Sequence, residues 1–87
     1  MKVRLFHELR NQLGESELEL EAATLNDVVQ SLISIRGEVK DLLFGSDGRL
    51  RRYTLFYVNH SVVDPPDLSR NLNDGDLILL VPPAAGG

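Results

Sequence analysis

Charged and apolar residues alternate at the start of the chain, which is the pattern of a half-buried β-strand. Val3 and Leu5 fall on one face of the segment 2–6. The segment 16–21 alternates in the same way, with leucines facing in and glutamates facing out, and such an acidic row protects an exposed sheet edge. Between the two, apolar spacing over 7–13 and a closing Gly14 predict about two turns of helix.

The longest helix is predicted to begin at Thr24, whose hydroxyl can cap it together with Asp27 three residues later. Gly37 supplies the stop. Apolar residues repeat between these limits with helical spacing, at Leu25, Val28, Val29, Leu32 and Ile33. One continuous stripe of this kind packs on a sheet. A second short apolar segment, 39–44, predicts one more helical turn before a glycine-containing turn at 45–48.

The second half of the chain predicts three strands. The longest is expected over 50–58, and Asn59-His60 then forms a hairpin turn into a short strand at 61–63. The last strand, 77–81, is apolar at every position and ends at Pro82, because proline cannot donate to a sheet. The order strand, strand, main helix, strand, short strand, strand predicts an α+β fold: a β-grasp, ubiquitin-like mixed sheet packed on one main helix.

The main helix can cover only one face of this sheet, so apolar residues of the long and last strands are expected to remain exposed. An exposed apolar surface marks a partner site more often than a defect. We predict that Phe56, Val58, Ile78 and Leu80 face outward and bind partners. Phe56 is the expected anchor of this surface. A register error of one residue would instead expose Leu55 and Tyr57, and the segment 42–44 could hide part of the surface.

The chain ends in six residues that a folded domain hardly needs. We predict a β-grasp domain over 1–81 and a flexible tail over 82–87, formed by Pro82, Pro83, Ala84, Ala85, Gly86 and Gly87. Two terminal glycines let the carboxylate pass through a channel too narrow for other residues. The tail spans at most ~20 Å when extended, which reaches deep into a partner's active site. Without a partner, the same tail is simply a frayed end.

Composition excludes several classes of function. The chain has 87 residues, a net charge of −4 and no cysteine, so thiol nucleophiles, disulfides and thiolate metal sites are absent, and a general nucleic-acid binder is disfavoured. No segment is long enough for a membrane span and Met1-Lys2-Val3 begins no signal peptide, which predicts a cytoplasmic location. The two histidines lack ligand spacing, so no metal is predicted.

Two other groups of residues were considered for chemistry. Asp64 and Asp67 flank two prolines, and both suit turn roles better than acid catalysis. The arginines at 49, 51 and 52 are expected to form a solvated face, or alternatively to meet acidic groups on a partner. The carboxylate of Gly87 is then the one functional group in an unusual position.

Several motifs resemble the MoaD/ThiS family of sulfur carriers, which includes the small subunits of molybdopterin synthase and is related to the small archaeal modifier proteins. They are Val3-Arg4-Leu5-Phe6, Glu8-Leu9-Arg10, Val58-Asn59-His60, Asp74-Gly75-Asp76 and the tail Pro82 to Gly87. The tail is the most specific of these motifs. His60 departs from the family, which usually has glycine or an acidic residue there.

The resemblance implies that catalysis resides in partners. An E1-like adenylating enzyme would use ATP to activate the carboxylate of Gly87, and a persulfide donor would convert it to a thiocarboxylate. The large subunit of molybdopterin synthase would then accept the sulfur, and the chain itself would bind no cofactor. Alternatives are a ubiquitin-like modifier joined to lysines through Gly87, a sulfur carrier for tRNA thiolation, cysteine or thiamine synthesis, and a binding module whose tail is idle.

Overall fold

The computed structural model describes residues 1–83, in which a five-stranded mixed sheet carries three helices on one face. The sheet order is β2-β1-β5-β3-β4. β1 and β5 run parallel at its centre, and the other neighbours are antiparallel. The elements along the chain are β1 (Lys2–Leu5), α1 (Glu8–Leu13), β2 (Glu17–Glu19), α2 (Leu25–Ile35), α3 (Val39–Leu43), β3 (Leu55–Val58), β4 (Ser61–Val62) and β5 (Leu77–Val81).

α2 is the main helix, and it begins as the sequence predicts. The hydroxyl of Thr24 accepts a hydrogen bond from the Asp27 N–H at 3.2 Å, and the Asp27 carboxylate accepts one from the Thr24 N–H at 3.1 Å. This reciprocal capping satisfies N–H groups that have no partner inside the helix. The predicted stripe faces the sheet, with Leu25, Val28, Val29 and Leu32 fully buried.

One apolar core lies between the helices and the sheet. α1 contributes Leu9 to it, and α3 contributes Val39 and Leu43. The strands contribute alternate residues that the register places on the same face: Val3 beside Ile78, Leu5 beside Leu80, Phe56 beside Leu80, and Val58 beside Ile78. All three helices therefore pack on one side of the sheet and leave the other side uncovered by any helix of residues 1–83.

The third strand is shorter than predicted. β3 begins at Leu55, not at residue 50, and β5 with five residues is the longest strand among residues 1–83. Leu50 pairs with Phe44 in an isolated bridge outside the sheet. Tyr53 has a φ of 69°, which a strand residue cannot adopt. The chain therefore turns at 52–53 before it joins the sheet, and β2 is likewise shorter than the predicted 16–21.

The predicted hairpin at Asn59-His60 is confirmed and is tied to the start of β5. Both residues have positive φ, 50° and 71°, as the tight turn between two strands requires. The Asn59 side chain donates to the Asp76 carboxylate at 2.8 Å and accepts from the Leu77 N–H at 2.9 Å. Asp76 also accepts from the Asn73 N–H at 2.8 Å. Two of the motifs that resemble the sulfur carriers, Val58-Asn59-His60 and Asp74-Gly75-Asp76, are thus joined by hydrogen bonds that link the hairpin to the start of β5.

Asp76 should make stability depend on acid pH. Hydrogen bonds from the Asn73 N–H and from the Asn59 side chain lower the pKa of this carboxyl below its ordinary value of 3.8. A lowered folded-state pKa adds stability above 3.8 that is lost as pH falls through the folded-state value. We expect Asp76→Ala to cost about 1–3 kcal/mol at neutral pH.

Urea unfolding of both proteins at pH 7 and at several lower values tests this effect, and the difference between them should shrink in acid. A difference that is the same at every pH would show that the charged form of Asp76 is not what stabilises the turn.

Candidate functional site

The tail leaves the sheet from the end of its central strand, β5. Val81, opposite Leu55, is the last paired residue of β5, and Pro82 is buried while Pro83 is half-buried. Pairing therefore ends where the prolines predict. Ala84, Ala85, Gly86 and Gly87 lie outside the residues that the structure describes, so the predictions for the reactive carboxylate and its glycines rest on the sequence.

The residues predicted to dock partners lie in the core. Phe56, Ile78 and Leu80 have no exposed surface, and Val58 is 4% exposed. The prediction that these four residues face a partner is wrong, because their register places them on the side that the helices cover. The sequence left this choice open, since β5 is apolar at all five positions and β3 is apolar on both faces.

The opposite residues form the surface that the helices leave uncovered. We call it the apolar patch, and its members are Leu55, Tyr57, Val62, Leu77, Leu79 and Val81. Leu55 and Val62 are 39% and 47% exposed, and the others are half-buried. Tyr57 lies at its centre, since it pairs with Leu79 on one side and with Val62 on the other. The patch ends at Val81, so it meets the base of the tail.

The other half of this face is charged. Lys2 and Arg4 of β1 stand beside the leucines of β5, and they pair across with Glu19 and Glu17 of β2. The Arg4 Nε lies 3.0 Å from a carboxylate oxygen of Glu17. The predicted acidic outer row is therefore present and is partly neutralised by β1. These charges confine the apolar patch to β5, β3 and β4.

A turn rich in arginine borders the base of the tail. We call residues 49–54 the arginine loop. Its backbone is anchored by a 2.8 Å hydrogen bond from the Arg51 N–H to the Leu43 carbonyl. Tyr53 is 73% exposed, and the Arg52 guanidinium lies 5.8 Å from the centre of its ring. Pro83 and the arginines line the same open groove. The cluster of arginines is evident from the sequence, but no local pattern in the sequence indicates that it adjoins the tail.

The remaining candidates show no catalytic arrangement. Hydrogen bonds from the Ser69 hydroxyl and then from the Ser69 N–H lower the pKa of Asp67, which fits the predicted turn role. A general acid needs a raised pKa instead. His7 and His60 are both exposed. Between Met1 and Pro83 no three His, Asp or Glu side chains come together as metal ligands, and no helix in this range has the length and apolar character to cross a membrane.

Comparisons with known proteins agree with the fold and the resemblance. The model of the ThiS family matches residues 3–87. A protein of Archaeoglobus fulgidus with the provisional name sulfur carrier protein is 32% identical over 88 residues, which cover 100% of this chain and 98% of the relative. The small archaeal modifier protein 1 of Methanosarcina acetivorans superposes with a TM-score of 0.83 at 29% identity, covering 99% of this chain and 94% of that structure.

A third similar protein bears on the choice of pathway. A Pyrococcus furiosus protein, provisionally named subunit 1 of molybdopterin converting factor, has a TM-score of 0.73 at 26% identity and covers 95% of each chain. The predicted β-grasp, ubiquitin-like fold is confirmed by these neighbours. The chain belongs to the ThiS family of small ubiquitin-like sulfur carriers.

Proposed function

We propose that this chain carries sulfur as a thiocarboxylate on Gly87 and serves as the small subunit of a molybdopterin synthase. The observation that carries the proposal is the diglycine end that follows two prolines directly after the central strand. The similarity to a protein provisionally named as a molybdopterin converting factor subunit supports the pathway. The absence of cysteine supports the site of loading, because no thiol of this chain can hold the sulfur.

The carboxylate must be activated before it can take sulfur, because its charge is delocalised over two oxygens. In the proposed reaction, a carboxylate oxygen of Gly87 attacks the α-phosphorus of ATP on an activating enzyme, and pyrophosphate leaves. A persulfide sulfur then attacks the acyl carbon, and AMP leaves. A thiol cleaves the resulting acyl disulfide, which leaves a thiocarboxylate on Gly87. ATP belongs to the activating enzyme, and this chain contributes the acyl group.

The apolar patch is the surface proposed to dock both the activating enzyme and the large synthase subunit. It adjoins the base of the tail at Val81 and Pro82, so a partner seated on it would receive the tail directly. The buried centre of a protein–protein interface is more apolar than the rest of a protein surface, so the patch suits the centre of such a contact. The charged half of the face would form a polar rim.

Tyr57 is the expected anchor of this docking surface. We predict that Tyr57→Ala weakens binding to the activating enzyme by ~30-fold or more, since a truncated hot-spot aromatic costs at least ~2 kcal/mol of binding. Isothermal titration calorimetry measures the affinity. Ile35→Ala is the matched control, because Ile35 is 57% exposed at the end of the main helix, on the covered side of the sheet. If both variants lost affinity for the activating enzyme to the same extent, the apolar patch would not be the docking surface.

A second candidate function is conjugation to proteins. It is favoured by the similarity to a small archaeal modifier protein, and it begins with the same adenylate. A lysine amine would then attack the acyl carbon, AMP would leave, and an isopeptide bond would form in place of the thiocarboxylate.

The fate of the loaded chain separates the two functions. The chain is incubated with its activating enzyme, ATP, a persulfide donor, a thiol, the large synthase subunit, a pterin precursor and a lysine-rich protein. We expect sulfur to appear in the pterin and Gly87 to return to a carboxylate. Stable adducts of higher mass on lysine, with no sulfur transfer, would favour the modifier instead.

A further inference from the structure

The arginine loop concentrates positive charge that the rest of residues 1–83 leaves unpaired. Arg49, Arg51 and Arg52 are three of the chain's nine basic residues, in a protein of net charge −4. All three are exposed. The two ion pairs found in the described part of the chain involve other residues, Met1 with Glu19 and Arg4 with Glu17. The three guanidinium groups therefore have no carboxylate partner within residues 1–83.

The loop is held in place at the point where the tail leaves the domain. The Arg51 Nε donates to the Asp41 carbonyl at 2.8 Å, and the Asp47 carboxylate accepts from the Arg49 N–H at 3.0 Å. The first bond holds the Arg51 guanidinium and the second fixes the backbone at Arg49, and neither pairs a guanidinium with a carboxylate. Arg49, Arg51, Arg52 and Tyr53 line one groove with Pro83 and another with Pro65 and Pro66. The arginines thus lie between two grooves, one of which includes Pro83 at the base of the tail.

Tyr53 has features that packing alone does not explain. Its φ of 69° is unusual for a bulky residue, and 73% of its surface is exposed. The next residue, Thr54, also lines the second groove, and its buried hydroxyl has no hydrogen-bond partner within residues 1–83. Strained backbone and unsatisfied polar groups tend to occur at functional sites. Tyrosine and arginine are also enriched where interfaces carry most of their binding energy.

We infer that the arginine loop binds acidic side chains of the activating enzyme and so promotes docking of the carrier before its tail reacts. The inference rests on the proposed function, because it assumes that such an enzyme adenylates Gly87. Planar guanidinium groups bind carboxylates with two parallel hydrogen bonds, which fix orientation as well as charge. The apolar patch supplies contact area on one side of the tail, and the arginine loop supplies charged contacts beside it.

The phosphates of ATP are the other anions that the arginine loop could bind when the tail reacts. The distance between the loop and the reacting end of the tail disfavours them as its ligand. The four residues from Ala84 to Gly87 span at most ~14 Å when extended. A tail that enters a channel carries its reacting carbon away from Pro83 by about that length, while the loop stays at Pro83. Acidic residues around the mouth of the channel are therefore the better match for these arginines than the nucleotide inside it.

Charge reversal with a matched control tests the inference. Arg52→Glu and Arg10→Glu make the same change in net charge, and Arg10 lies on α1, outside both grooves. Adenylation is followed as pyrophosphate release over a range of carrier concentrations. We expect Arg52→Glu to raise KM for the carrier about tenfold at low salt, with the rate at saturation unchanged, because lost charge complementarity slows association. Arg10→Glu should match the wild type, and added salt should narrow the difference.

The outcomes separate the inference from the function on which it rests. If the wild type is adenylated and Arg52→Glu has the same KM, the inference fails and the proposed function stands. If Arg52→Glu changes KM for ATP and leaves KM for the carrier unchanged, the loop contacts the nucleotide and the inference is overturned. If the wild type is not adenylated at all, both fail together.

Discussion

Phe56→Ala is expected to destabilise the domain by ~3–5 kcal/mol, the usual cost of truncating a buried aromatic. Phe56 has no exposed surface and lies beside Leu80 in the core under the helices. Its removal leaves a cavity that the close-packed surroundings fill only in part. Urea unfolding at neutral pH measures the loss. A loss of this size is a large fraction of the ~5–15 kcal/mol typical of folded domains, so the urea midpoint should fall well below that of the wild type.

Leu55→Ala is the control for this variant. Leu55 is the neighbouring residue of the same strand, but it is 39% exposed on the open face. We expect it to cost less than about 1.5 kcal/mol, because much of its surface is already in water. Equal losses at the two positions would contradict the assignment of the two faces of β3.

Gly86→Val is expected to abolish activation and to leave folding intact. A β-branched side chain restricts the backbone angles of the chain and widens it where a narrow channel must admit it. Misplacing a reacting group by about 1 Å can cost ~100-fold in rate, and we expect a loss of at least that size in pyrophosphate release. The free energy of unfolding should stay within about 0.5 kcal/mol, the range of substitutions away from special features.

Ala84→Val provides the comparison for Gly86→Val. It adds bulk to the tail two residues farther from the reacting carboxylate, so it should be activated better than Gly86→Val. If Gly86→Val is adenylated as fast as the wild type, the narrow-channel argument for the diglycine end is wrong.

The sequence predicted the elements whose signals are local. Thr24 and Asp27 form the reciprocal cap that their spacing indicates, and Asn59-His60 forms the hairpin turn, because asparagine tolerates positive φ better than most residues. The central position of the last strand also agrees with its apolar run, since a strand paired on both sides and covered by helices excludes charge.

Properties that depend on tertiary structure could not be predicted from the sequence. Either the odd-numbered or the even-numbered residues of β3 and β5 could face the helices. Because successive residues of both strands are apolar, the sequence does not distinguish the two arrangements. The start of β3 depends on the turn at Tyr53, whose positive φ no local motif announces. The proximity of the arginine loop to Pro83 follows from the pairing of β3 with β5, which brings Leu55 opposite Val81.

The mass of the C-terminal peptide tests the central claim most directly. The chain is incubated with its activating enzyme, ATP, a persulfide donor and a thiol, and is then digested and analysed by mass spectrometry. We expect the peptide ending in Gly87 to gain one sulfur in place of one oxygen, and a chain lacking Gly87 to stay unchanged. If pyrophosphate is released but that peptide keeps its original mass, or if the sulfur lies on another peptide, the thiocarboxylate carrier proposed here is contradicted.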